Sequence, residues 1–97
     1  MSISLSTHVL DLGNGVPVAG APVELYRAED LVASGQTNDD GRIPELAAGL
    51  EPGVYRILFR PPSRFFRRVE FDVALDDGHY HVPLLVSPYG CASYRGS

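Results

Sequence analysis

The sequence has no lysine, no tryptophan, a single cysteine and no long apolar run, and each shortage removes a class of function. All eight cations are arginine against twelve carboxylates, for a formal net charge of −4, so the basic footprint that binding a phosphate backbone requires is missing. Apolar stretches fall far short of the roughly 18 residues that a membrane-spanning helix needs. Met1-Ser2-Ile3-Ser4 opens directly on patterned sequence without a charged leader. Neither a nucleic-acid nor a membrane partner is therefore expected. Cys91 has no second cysteine to pair with, which together with the absence of a visible export signal makes the reducing cytoplasm the expected compartment. Ninety-seven residues suit one domain, 1–97, whose small core would gain from oligomerisation.

What the sequence does have is punctuation. Ten glycines and eight prolines divide it into short segments that alternate with period two, so an all-β fold is expected. From Ile3 to Asp11, residues Ile3, Leu5, Thr7 and Val9 share one face, and Ser4, Ser6, His8 and Leu10 the other. A turn over Gly13 to Pro17 leads to a second strand, Pro22 to Arg27, with Val23 and Leu25 inward. Leu31 to Thr37 reads as a third, ended by Asn38-Asp39-Asp40-Gly41, where Gly41 can take positive φ. Ile43 to Leu50 reads as an irregular connection with room for one helical turn. Strands over Gly53 to Phe59 and Arg67 to Leu75 follow, with Val69, Phe71, Val73 and Leu75 alternating against Glu70, Asp72 and Ala74. After the Asp76-Asp77-Gly78 turn, His79, His81, Pro83 and Leu85 fall on one side of a strand, and Tyr80, Val82, Leu84 and Val86 on the other. Tyr89 to Arg95 completes seven or eight short strands, the pattern of a β-sandwich.

The chemistry-bearing residues are few. The three histidines are His8, His79 and His81, and His79 and His81 share a face about 7 Å apart. A His-x-His pair with a distant third histidine is one pattern for a zinc site with an open position. A Ser-His-Asp triad lacks a nucleophile elbow, and Cys91 lacks the signature of a catalytic thiol. Metal-free acid–base chemistry is the other reading: imidazoles that titrate near neutrality relay protons, while a permanently charged guanidinium polarises a carbonyl. His8, His81 and Arg42 are the available parts, and Arg42 follows directly on the Gly41 turn.

Four segments together resemble one family, the transthyretin-like 5-hydroxyisourate hydrolases of purine catabolism. They are Leu5-Ser6-Thr7-His8-Val9-Leu10-Asp11, Thr37-Asn38-Asp39-Asp40-Gly41-Arg42, His79-Tyr80-His81-Val82-Pro83-Leu84-Leu85-Val86-Ser87-Pro88 and the terminal Tyr94-Arg95-Gly96-Ser97. The resemblance runs in order over nearly the whole chain. It implies a transthyretin-like (prealbumin-like) sandwich of antiparallel strands, assembled as a homotetramer, a dimer of dimers with active sites where the dimers meet. It implies His8, Arg42 and His81 as the catalytic trio, with His8, Arg42 and the tail Tyr94, Arg95, Gly96 and Ser97 contacting substrate and His79 in support. No metal or cofactor is implied.

The implied reaction opens the ring of 5-hydroxyisourate by water attack on its cyclic amide, giving 2-oxo-4-hydroxy-4-carboxy-5-ureidoimidazoline. A non-catalytic small-ligand carrier or scaffold on the same fold is the alternative, because fold alone does not choose function. Two features depart from the family pattern. Only Arg60-Pro61-Pro62-Ser63-Arg64-Phe65-Phe66 stands where a longer segment with a short helix is usual, and two prolines disfavour that helix. Cys91-Ala92 replaces the usual tyrosine and serine of the final strand.

Overall fold

Alternation of apolar and polar side chains closes into two facing sheets in the computed structural model, which describes residues 2–97. Met1, the first residue of the 1–97 domain, lies outside the described residues. Ten strands are formed, and no helix among the described residues: β1 (Ile3–Asp11), β2 (Val16–Pro17), β3 (Pro22–Arg27), β4 (Asp30–Gln36), β5 (Arg42–Leu50), β6 (Gly53–Phe59), β7 (Val69–Leu75), β8 (Gly78–His81), β9 (Leu84–Ser87) and β10 (Gly90–Ser93). One sheet is ordered β4-β3-β6-β7, and the other is built around β1.

Strand β1 is bonded along both edges. Its first half lies between antiparallel β5 and parallel β8, and its second half between antiparallel β2 and parallel β9. The sandwich is therefore not antiparallel throughout. The inward row Ile3, Leu5, Thr7 and Val9 is at most 1% exposed. Thr7 is tolerated there because its hydroxyl donates to the carbonyl of Val82 at 2.7 Å. Val23, Leu25, Ile57 and Phe59 face this row from the second sheet, and Leu84 and Val86 complete the core from β9. His8 accordingly points to the opposite side, as its place in the alternation requires.

Four segments differ from the sequence reading. The expected irregular link over Ile43 to Leu50 is strand β5, paired to β1 from Leu50 opposite Ile3 to Arg42 opposite His8. Two register shifts interrupt that pairing, so the inward residues Ile43 and Leu46 fall three positions apart and the period of two is lost. Val16 and Pro17, expected within a turn, return as β2 opposite Asp11 and Leu10. The run from His79 is broken into β8 and β9 around Val82 and Pro83, and Pro83 is buried rather than sharing the open face of the histidines. The final strand is also shorter than Tyr89 to Arg95. It ends at Ser93, and the tail returns as a single bridge from Gly96 to His81.

The abbreviated link after β6 holds itself together without a helix. Ser63 Oγ accepts from the N–H groups of Phe65 and Phe66 at 3.1 and 2.9 Å. Phe65 then packs edge-on against Phe66 and Tyr89, with ring centroids 4.8 and 5.7 Å apart.

Candidate active site

The outward face of the β1 sheet gathers the residues that could carry chemistry. Ser4, Ser6 and His8 alternate along β1 on the side away from the core, and pairing sets a partner beside each. His79 lies beside Ser4 and His81 beside Ser6 on β8, while Arg42 lies beside His8 on β5. Paired residues on neighbouring strands project to the same side, so three strands bring three imidazoles and a guanidinium onto one patch.

Arg42 is placed by the turn before it. The Asn38 side-chain oxygen accepts from the N–H groups of Asp40 and Arg42 at 2.9 and 3.0 Å, and Gly41 N–H donates to Asn38 O at 2.9 Å. Gly41 has φ 74, and a Cβ there would stand 2.7 Å from Val9 O and 2.8 Å from Pro17 Cβ. Only glycine fits that approach. Thr37 anchors the base of the turn, donating to Val18 O at 2.6 Å and accepting from Ala21 N–H at 2.8 Å. The turn also fixes His8, whose Nε2 lies 3.0 Å from Asp40 O. A carbonyl oxygen only accepts, so Nε2 carries a proton and the neutral ring presents the Nδ1 lone pair.

His81 is held by different means. Its Nδ1 lies 2.8 Å from Ser6 Oγ, which also lies 2.9 Å from His79 Nε2, and His79 Nδ1 in turn lies 2.6 Å from Ser4 Oγ. Nε2 of His81 has no partner among the described residues. Partial burial pushes the His81 imidazole below its ordinary pKa, and the nearby Arg42, His8 and His79 push the same way.

The tail reaches the patch through Gly96. Its N–H donates to His81 O at 2.6 Å, and it lies so close to the ring that a Cβ would be 2.6 Å from His81 Cδ2. Tyr94 is 55% exposed. Arg95 stacks its guanidinium 4.1 Å from the Tyr80 ring centroid and donates to His79 O at 3.4 Å, so its side chain lies along the sheet edge.

The structure thus brings His8, Arg42, His81 and the Gly96 backbone together and sets His79 behind them. Ser6 is the participant that sequence reasoning missed. It shares the alternating face with His8, but its partnership with both histidines depends on the parallel β1–β8 pairing, which joins distant segments. His8 does not complete a zinc site with the His79 and His81 pair: among the described residues no three His, Cys, Asp or Glu side chains cluster as metal ligands. Cys91 is a partly buried free thiol pushed above its ordinary pKa by burial, which disfavours the nucleophilic thiolate.

The trio lies on an open surface rather than in a cleft of the single chain. A cavity of about 380 Å³ lies between the Asp11 turn and Phe65. Another, of about 320 Å³, opens between β7 and the β8 edge beneath Tyr80 and Arg95. Neither is lined by His8, Arg42 or His81.

Comparison with known proteins bears on this surface. Residues 5–96 match the model of the HIUase/Transthyretin family. The chain is 40% identical to the 5-hydroxyisourate hydrolase of Pseudomonas aeruginosa, across 96% of this chain and 90% of that protein. The alignment runs to 114 positions, so the relative carries residues that this shorter chain lacks. Among solved structures, 5-hydroxyisourate hydrolase from Klebsiella pneumoniae superposes with a TM-score of 0.89 at 35% identity, covering 97% of this chain and 98% of that one. Transthyretin from Sparus aurata superposes at 0.83 with 24% identity, over 95% of each chain, a likeness of fold alone.

Proposed function

Because the chain belongs to the HIUase/transthyretin family, we propose that its His8, Arg42 and His81 patch is the catalytic surface for the reaction of its hydrolase relatives. The protein is a 5-hydroxyisourate hydrolase, and its substrate is 5-hydroxyisourate. The observation that carries the site assignment is the register: β1 sets Arg42 opposite His8 on one edge and His81 beside Ser6 on the other.

Arg42 anchors the flat substrate through its carbonyl oxygens and polarises the one to be attacked, since a guanidinium presents a planar fork of donors. Water adds to that carbonyl. One imidazole takes the water proton, and the other steadies the oxyanion or the departing nitrogen. His8 offers Nδ1 and His81 offers Nε2, the ring nitrogens without a hydrogen-bond partner among the described residues. Gly96 holds His81 in place, and Tyr94 and Ser97 orient the ring of the substrate from the tail; Arg95 joins them only by leaving its stack on Tyr80. No cofactor enters these steps.

An open patch binds a small planar molecule poorly, because most of a tightly held ligand's surface must be covered. We therefore propose a homotetramer, a dimer of dimers in which a second copy closes the patch where the dimers meet. For the compartment we propose the cytoplasm, where the lone Cys91 stays reduced.

The experiment mixes the purified protein with freshly generated 5-hydroxyisourate and follows the decay of its absorbance, with sedimentation equilibrium on the same samples. Acceleration by the native chain and loss of about 10²- to 10⁴-fold in His81→Ala and His8→Asn are expected. Unaccelerated decay by an intact tetramer would favour a carrier or scaffold instead.

A further inference from the structure

Taking the proposed catalytic patch as its basis, we infer that Ser6 is a positioning residue that carries a proton between His81 and His79, so that the two histidines and two serines act as one chain. The geometry is continuous: His81 Nδ1, Ser6 Oγ, His79 Nε2, then His79 Nδ1 and Ser4 Oγ, with successive contacts of 2.8, 2.9 and 2.6 Å. Ser6 is buried beneath the two rings it joins, at 6% exposed.

A hydroxyl has one proton to give, so Ser6 cannot donate to both rings at once. Two arrangements satisfy every contact. In one, His81 Nδ1–H donates to Ser6, Ser6 donates to His79 Nε2, and His79 Nδ1–H donates to Ser4. His81 Nε2 then presents a lone pair to the substrate side. In the other, every donor is reversed and His81 Nε2 carries a proton. The same chain therefore holds His81 ready as a base and as an acid.

Hydrolysis needs both. Water oxygen bonds to the amide carbon, the C=O pair moves onto oxygen, and the water proton goes to His81 Nε2. His81 Nδ1 then passes its own proton to Ser6 as Ser6 passes its hydroxyl proton to His79 Nε2. The positive charge thus moves one ring further from Arg42. When the C–N bond breaks, the transfers run backwards and His81 Nε2 delivers the proton to the departing nitrogen. No proton is gained or lost overall.

The charged and titratable groups around His81 are consistent with this direction. Arg42 on β5, His8 on β1 and His79 on β8 all oppose a positive charge on it, while Gly96 of the tail contributes no titratable side chain. A charge that is unwelcome on His81 has one hydrogen-bonded exit, and Ser6 is that exit.

The test compares Ser6→Ala and Ser6→Thr with the native enzyme and with His81→Ala, reading kcat, KM and the rate in H₂O/D₂O mixtures. Ser6→Ala is expected to lower kcat about 10- to 100-fold, within the range for one proton-transfer group, with KM unchanged to about twofold. A curved dependence on deuterium fraction is expected to become linear. Ser6→Thr, which keeps the hydroxyl and suits a strand, is expected to restore most of the rate and the curvature. Ser6→Ala within about twofold of native kcat, or Ser6→Thr no faster than Ser6→Ala, would overturn the relay while an inactive His81→Ala left the site assignment standing. A fully active His81→Ala would overturn the site assignment and the relay together.

Discussion

Gly96 rests directly on the imidazole of His81, bonded through its N–H to the histidine carbonyl at 2.6 Å and with no room for a side chain above Cδ2. The chain's penultimate residue thereby sets the orientation of a ring proposed to move protons. Adding one methyl group at that contact must displace either the tail or the ring.

Gly96→Ala should therefore reduce kcat/KM by about 10-fold or more, since small misplacements of a reacting group are costly. Thermal stability should change little, because the bridge lies outside the core. Steady-state rates and a melting curve on the same sample check both halves. Native activity in this variant would mean that the tail does not position His81.

The second expectation concerns pH. His81 is depressed below its ordinary value of 6.5 by burial first and then by Arg42, His8 and His79. A base with a lowered pKa stays neutral to lower pH, so the acid limb of kcat/KM should fall below 6.5. Arg42→Gln removes one of the charges responsible, and its residual activity should show that limb moved upward. A pH–rate profile of each enzyme reads the direction, and a limb unmoved by the substitution would detach Arg42 from His81.

Gly41→Ala should destabilise the fold by about 2–4 kcal/mol, because a left-handed conformation is unfavourable for alanine and its Cβ would strike backbone and Pro17. The shift should also move Arg42, lowering activity in whatever fraction remains folded. Urea titration gives the first quantity, and rates normalised to folded protein give the second.

Thr37→Val keeps the shape and removes the hydroxyl that accepts from Ala21 N–H and donates to Val18 O. Thr37 is buried, so the stranded amide and carbonyl should cost about 1–3 kcal/mol. Denaturant midpoints of the two proteins measure it, with kcat expected near native once folded.

Chelators should leave ring opening unchanged, since the described residues form no three-donor metal cluster. A rate abolished by chelation and restored by zinc would return the His-x-His pair to the role of metal ligands.

Much of this architecture was legible in the sequence because it is written in local alternation. Ile3, Leu5, Thr7 and Val9 declare an inward row, and the same parity sends His8 outward. The Asn38 to Gly41 turn was readable from its residue types, and Arg42 with it. Strand β5 was not, because its bulges separate Ile43 and Leu46 by three positions and hide the strand period. Ser6 stayed hidden for another reason. Its parity was plain, but its neighbours are set by a parallel pairing between Ser6 and His81 that no local pattern encodes. Pro83 shares the parity of the histidines and yet is buried, because the strand breaks there.

The parallel pairing of β1 with β8 joins Ile3 to Gly78 and Ser6 to His81, and this separation governs when the enzyme becomes competent. Contacts between distant segments carry a large loop-closure cost and form slowly. Catalytic ability should therefore return with the slowest phase of refolding, after the β3–β4 and β6–β7 hairpins have formed. A chain still emerging from the ribosome holds His8 long before it has an imidazole to set beside it.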